Sequence, residues 1–140
     1  MLFIENDTNI EIDTKILETI ANSLTAKDID LLLCDNHKIK ELNSSFRGVN
    51  RATDVLSFPL EDNFLNAPLG SLAISLEYAN DRAKEFNHSL NDEVALLFIH
   101  GVLHLLGYDH EVDSGEMREE EAKLIKEFNL PESLIIRNEK

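Results

Sequence analysis

Three of the five histidines in this 140-residue chain fall within eleven residues: His100, His104 and His110, in the segment His100-Gly101-Val102-Leu103-His104-Leu105-Leu106-Gly107-Tyr108-Asp109-His110. Residues four apart on a helix lie about 40° apart around its axis and roughly 6 Å along it, so His100 and His104 share one face. A continuing helix would carry position 110 away from that face. Gly107 lets the chain turn and bring His110 back. Three imidazole nitrogens on a tetrahedral metal leave one position for water, the pattern of a catalytic rather than a structural site. Two histidines inside an otherwise apolar helix also need partners, because buried polar groups are costly without them. His37 and His88 have no such neighbours in sequence and read as surface residues.

The spacing matches the metzincin proteases, H-E-x-x-H-x-x-G-x-x-H, except at one position. Gly101 stands where such a protease needs glutamate as general base, and Val102 and Leu103 cannot take that role. Met117 reads as a core residue of an amphipathic helix rather than as a Met-turn.

The elements that must hold these residues follow from periodicity. Leu2 to Glu5 reads as a strand, Ile12 to Leu24 as a helix starting near Asp13 or Thr14, and Ile29 to Cys34 as a buried strand. Asp35 caps a second helix expected to turn Ile39, Leu42 and Phe46 inward and to end near Gly48. Asp54 to Phe58 alternates and stops at Pro59, as an edge strand does. Glu61 to Leu69 reads as a loop, Leu72 to Leu76 as a strand and Tyr78 to Phe86 as a helix. Ser89, with Asp92 three residues on, opens the main helix, apolar nearly all round and therefore central; Gly107 ends it. A last amphipathic helix runs from about Gly115 to Phe128, and Pro131 begins a tail. The fold class is α+β: a small mixed β-sheet packed with about five helices, with the central apolar helix carrying two metal-binding histidines. One domain spans residues 1–140.

The formal net charge is -14, which argues against broad nucleic-acid binding through a basic surface. The charge is uneven. Asn36 to Thr53 holds Lys38, Lys40, Arg47 and Arg51 against Glu41 alone, whereas Glu111 to Phe128 carries seven acids and three cations, read as a solvated face. Cys34, the only cysteine, ends an apolar run and reads as an inert buried thiol. No apolar stretch is long enough for a membrane span and the N-terminus does not read as a signal peptide, so the cytoplasm is the expected compartment.

The eleven-residue segment resembles the signature of the YbeY family of bacterial endoribonucleases. So does Leu42-Asn43-Ser44-Ser45-Phe46-Arg47-Gly48, followed by Thr53-Asp54-Val55-Leu56-Ser57-Phe58-Pro59, and so does Leu69-Gly70 before a strand. The resemblance implies one zinc ion (or another transition metal) on His100, His104 and His110, with Arg47 as the catalytic arginine. It implies cleavage of single-stranded RNA, maturation of the 3′ end of 16S rRNA, ribosome quality control, and ribosomal or small-subunit protein partners. Two positions depart from the family pattern: Ser71 stands where aspartate is frequent, which could alter the polar surroundings of the site, and Ala52 where proline is frequent. Asp109 is a candidate for orienting an imidazole through its second nitrogen. Tyr108 is equally suited to packing beneath the loop or touching substrate, and the Thr53–Phe58 strand to bordering a cleft into which Arg51 and the lysines attract the RNA backbone. Two rival readings stay open: a metallohydrolase of another bond, including peptides, and a non-catalytic ribosome-assembly factor with a structural metal.

Overall fold

The computed structural model describes residues 1–60, 67–109 and 111–131. In chain order it comprises β1 (Leu2–Asn6), α1 (Thr14–Leu24), β2 (Ile29–Cys34), α2 (Asn36–Arg47), β3 (Val55–Pro59), β4 (Gly70–Ser75), α3 (Leu76–Glu85), α4 (Leu90–Leu105) and α5 (Glu116–Glu127). The α+β expectation holds. The strands form one mixed sheet in the order β1-β2-β4-β3, with β1–β2 and β2–β4 parallel and β3–β4 antiparallel. β3 lies at the edge, where Pro59, lacking an N–H, is tolerated.

Local chemistry sets the helix ends. Asp13 caps α1 by accepting from the Lys15 N–H, Asp35 caps α2 through the Lys38 N–H at 2.8 Å, and Ser89 caps α4 through the Asp92 N–H at 3.0 Å. Gly48, at φ 69°, turns the chain out of α2. The strand expected over Leu72–Leu76 is displaced: β4 starts at Gly70, and Leu76 already belongs to α3, because the Ser75 hydroxyl accepts from the Tyr78 N–H and caps that helix. The expected loop over Glu61–Leu69 lies outside the described residues except for its last three positions.

α4 is the axis of the protein. It packs on β3 and β4 and against α1, α3 and α5. Val94 to Ile99 and Gly101 to Leu103 are buried, as an all-round apolar helix requires. Gly101 marks the closest approach to the sheet: a Cβ there would lie 2.7 Å from Leu72 Cδ2 and 3.3 Å from its Cδ1. A second, smaller cluster of Cys34, Ile39, Leu56 and Ala73 fills the opposite face of the sheet beneath α2, with Ala52 packed against it. Phe46 does not join that cluster as expected. It is 69% exposed and meets Phe58, on the edge strand β3, edge to face with ring centroids 5.3 Å apart. Met117 is fully buried, a core methionine.

Candidate metal centre

His100 and His104 stand one turn apart at the C-terminal end of α4. Their rings meet at 78° with centroids 4.7 Å apart, and their Nε2 atoms are 3.2 Å from one another. The remaining nitrogens are committed elsewhere. The His104 Nδ1–H donates to the Tyr108 carbonyl at 3.0 Å, and the His100 Nδ1–H donates to Oε2 of Glu121 at 3.1 Å. A carbonyl only accepts, so the His104 proton is on Nδ1 and, in the neutral ring, Nε2 carries a lone pair. The same logic with a carboxylate applies to His100. Two lone pairs at this distance repel unless a cation or a proton lies between them.

That arrangement fits a metal. Two nitrogens about 2.0–2.1 Å from a tetrahedral zinc are separated by roughly 3.3 Å. The donor set is nitrogenous and intermediate in softness, suited to zinc and its neighbours rather than to magnesium or calcium. The carbonyl-rich end of α4 also favours a cation. No third His, Cys, Asp or Glu side chain joins the pair among the described residues. His110, the third expected ligand, lies outside those residues.

The loop that follows is built to hold this geometry. Gly107, at φ 100°, takes a conformation that other residues rarely adopt, and its N–H bonds to the His104 carbonyl at 3.0 Å. The Tyr108 N–H then bonds back to the Leu103 carbonyl, which brings the Tyr108 carbonyl under the His104 ring. Tyr108 is half-buried against the core and also lines the cleft.

The imidazoles open into a cleft of about 600 Å³. Arg47 enters it from the end of α2, Asp54, Val55, Ser57 and Pro59 line it from β3 and the residue before it, and Tyr108, Asp109 and Glu111 line it from the loop. The expected strand therefore does border the cleft. Of the four cations between Asn36 and Thr53, only Arg47 lines it. Lys40 flanks a separate depression with His37, which is exposed as expected, and Lys38 sits 4.0 Å from Glu41. Arg51 is exposed and gives its carbonyl to the Asn43 side chain. Ser71 faces another part of the sheet, beside Phe3 and Asp30, so its departure from the family pattern does not change the polar lining of the cleft.

Two expectations about polar residues need correction. Asp109 is exposed and its Oδ1 accepts the Glu111 N–H at 3.0 Å, closing a turn. His100 and His104 are oriented instead by Glu121 and by the Tyr108 main chain. The last helix is not simply a solvated face, since Glu121 is 1% exposed. The sequence did carry a signal for this: Met117, Glu121 and Leu124 stand at i, i+4 and i+7, so one glutamate occupies the apolar stripe of α5. His88 is not a surface residue either. Its side chain is 10% exposed, and its Nε2 lies 2.6 Å from Oε1 of the fully buried Glu93, a pairing that lets a carboxylate lie inside α4.

Comparison with known proteins adds a family. The model of the family described as endoribonuclease YbeY matches residues 3–129. A protein of Sulfurimonas denitrificans named endoribonuclease YbeY is 56% identical over 139 residues, covering 99% of both chains. A Helicobacter pylori protein of the same name is 54% identical over 140 residues, again covering 99% of each. The solution structure of a Thermotoga maritima protein superposes with a TM-score of 0.63 at 32% identity, covering 91% of this chain and 89% of the other.

Proposed function

The chain belongs to the YbeY family of endoribonucleases, and on that premise we propose that it cuts single-stranded RNA with a transition metal, zinc in the first instance, held by His100, His104 and His110. The observation that carries the metal reading is the convergence of the two Nε2 atoms at 3.2 Å, with both Nδ1 atoms already engaged. When bound, a divalent metal supplies Lewis acidity toward a phosphoryl oxygen and brings the pKa of a water toward neutrality. The residues of the chain do the rest. Arg47 grips two phosphate oxygens through its planar fork and offsets the charge that develops on them. Among the described residues, Asp54, Asp109 and Glu111 outweigh Arg47 in the charge of the cleft lining, so the metal and this guanidinium are the groups that hold a phosphate there. Phe46, exposed beside Arg47, offers a ring on which an unpaired base stacks, which favours single strands over duplex.

Gly101 opposes a peptidase reading. The position of the protease base is pressed against Leu72, so that even a Cβ there requires the Leu72 side chain to shift. The net charge of -14 implies weak binding to free RNA. We therefore extend the proposal to ribosomal RNA maturation, with ribosomal surroundings supplying much of the affinity, in one metallo-endoribonuclease domain acting in the cytoplasm. Among the described residues no helix is long and apolar enough to cross a membrane. The deciding experiment incubates the metal-loaded protein with single-stranded RNA, duplex RNA and a peptide library. Cleavage of single-stranded RNA alone is expected; cleavage of peptides without RNA overturns the proposal.

A further inference from the structure

We infer that Glu121 is a positioning residue of the metal centre, fixing the tautomer and ring plane of His100 and making that imidazole the stronger donor of the pair. This rests on the metal reading above. A carboxylate in the apolar stripe of α5 is costly to bury unless it is paired and hydrogen-bonded, and a leucine would fill the same space without that cost. Glu121 is 1% exposed and its Oε2 lies 3.1 Å from His100 Nδ1. With Nδ1–H committed to the carboxylate, the opposite nitrogen is the one that presents a lone pair, and that nitrogen faces His104 Nε2.

The two imidazoles are thus oriented by unlike partners. His104 answers to a neutral carbonyl and His100 to a carboxylate. A carboxylate partner raises the basicity of a ligating imidazole and adds a negative charge close to the cation. The first turn of α5 is fastened so that Glu121 arrives in register. The Asp113 carboxylate accepts from the Gly115 N–H at 2.9 Å and from the Met117 N–H at 3.0 Å, one turn before Glu121.

The test uses the full chain, stripped and reloaded with zinc or cobalt(II), with affinity read by competition against a chromophoric chelator and ligand field by cobalt absorption. Glu121→Gln preserves shape and an acceptor oxygen, so a merely structural role survives it. The inference expects Glu121→Gln to keep the melting temperature of the metal-free protein while metal affinity falls about tenfold and the cobalt spectrum shifts. Glu121→Ala is expected to lose up to about a hundredfold. Leu124→Ala, which removes packing from the same helix face, is expected to lower stability and leave metal affinity within about twofold. Wild-type affinity and spectrum in Glu121→Gln and Glu121→Ala overturn the inference, as does an equal loss of affinity in Leu124→Ala. A wild-type chain that binds neither metal overturns the metal reading itself, a separate and distinguishable failure.

Discussion

The Ser57 hydroxyl on β3 donates to the Gly101 carbonyl on α4 across 3.3 Å, at the level where a Cβ on Gly101 would strike Leu72. Edge strand and histidine-bearing helix are therefore tied together by a side chain of one and the main chain of the other. Because Ser57 also lines the cleft, this contact sets the distance between the cleft wall and the imidazoles.

A side chain at position 101 should push these elements apart. Gly101→Ala gains about 1 kcal/mol of helix propensity but overpacks a site where ~1–3 kcal/mol is the usual cost. Leu72 is buried, so a shift of its methyl groups disturbs the packing of the core around it. A net loss of about 1 kcal/mol is expected, seen as a lower urea midpoint with unchanged slope. Gly101→Glu is expected to fail to fold or to fold without peptidase activity; a stable variant that cleaves peptides contradicts the packing account.

Arg47 is exposed, so Arg47→Ala should change stability by no more than about 0.5 kcal/mol. Its effect on RNA cleavage should be far larger, a fall in kcat of about 10²–10³-fold. Arg47→Lys should restore little of this, because a point charge does not reproduce a fork. Single-turnover cleavage of a defined oligonucleotide measures both.

Metal removal should be visible without any substrate. A ligand bound only by the native state at a hundred times its Kd raises stability by about 2.7 kcal/mol. Wild-type protein is therefore expected to melt at a lower temperature after chelation and to recover when metal is returned. His104→Ala should melt at the same temperature with or without metal. A metal-dependent shift retained in that variant would remove His104 from the ligand set.

Cys34 is fully buried, and its pKa is raised to about 11, chiefly by burial and secondarily by Asp35 and Asp7. Between the ordinary value of 9.0 and about 11 the folded protein keeps this proton and the unfolded chain loses it. Stability contributed by Cys34 is thus complete below pH 9 and declines as pH rises toward 11. Cys34→Ala should flatten that alkaline decline in denaturant melts. At pH 8 the native thiol should resist alkylation until denaturant is added.

Phe46 is the counterpart of the buried aromatics. Phe46→Ala should leave the urea midpoint almost unchanged, whereas Phe98→Ala, in the centre of α4, should cost ~3–5 kcal/mol. Loss of one stacked base is worth about 1–3 kcal/mol, so single-stranded RNA should bind the Phe46→Ala variant about tenfold more weakly. Equal binding by wild type and variant in a fluorescence titration removes Phe46 from the RNA path.

The sequence made legible whatever depends on local pattern. Asp13, Asp35 and Ser89 act as caps where their types and positions predicted. The four-residue spacing of His100 and His104 brought their rings together, and the alternation ending at Pro59 marked the edge strand. What escaped depends on contacts distant along the chain. Glu121 is twenty-one residues from His100 and looks like one more acid in an acidic helix until α5 docks. Glu93, in the first turn of α4, is buried against His88, five residues before it, which no local pattern singles out. Phe46 follows the same periodicity as Ile39, yet its ring lies at the edge strand against Phe58 and stays 69% exposed.

The carbonyl of Tyr108 beneath His104 has a consequence for how such a site can change over generations. Any residue type supplies a carbonyl, so no single codon change at position 108 deletes this partner; only a change that reshapes the Gly107 turn can. The Glu121 partner of His100, by contrast, is one substitution away from loss or replacement. Variation can therefore retune one imidazole while the partner of the other is inherited with the backbone. Under the proposed metal reading, metal preference among related chains should drift through position 121, and the turn after α4 should stay fixed.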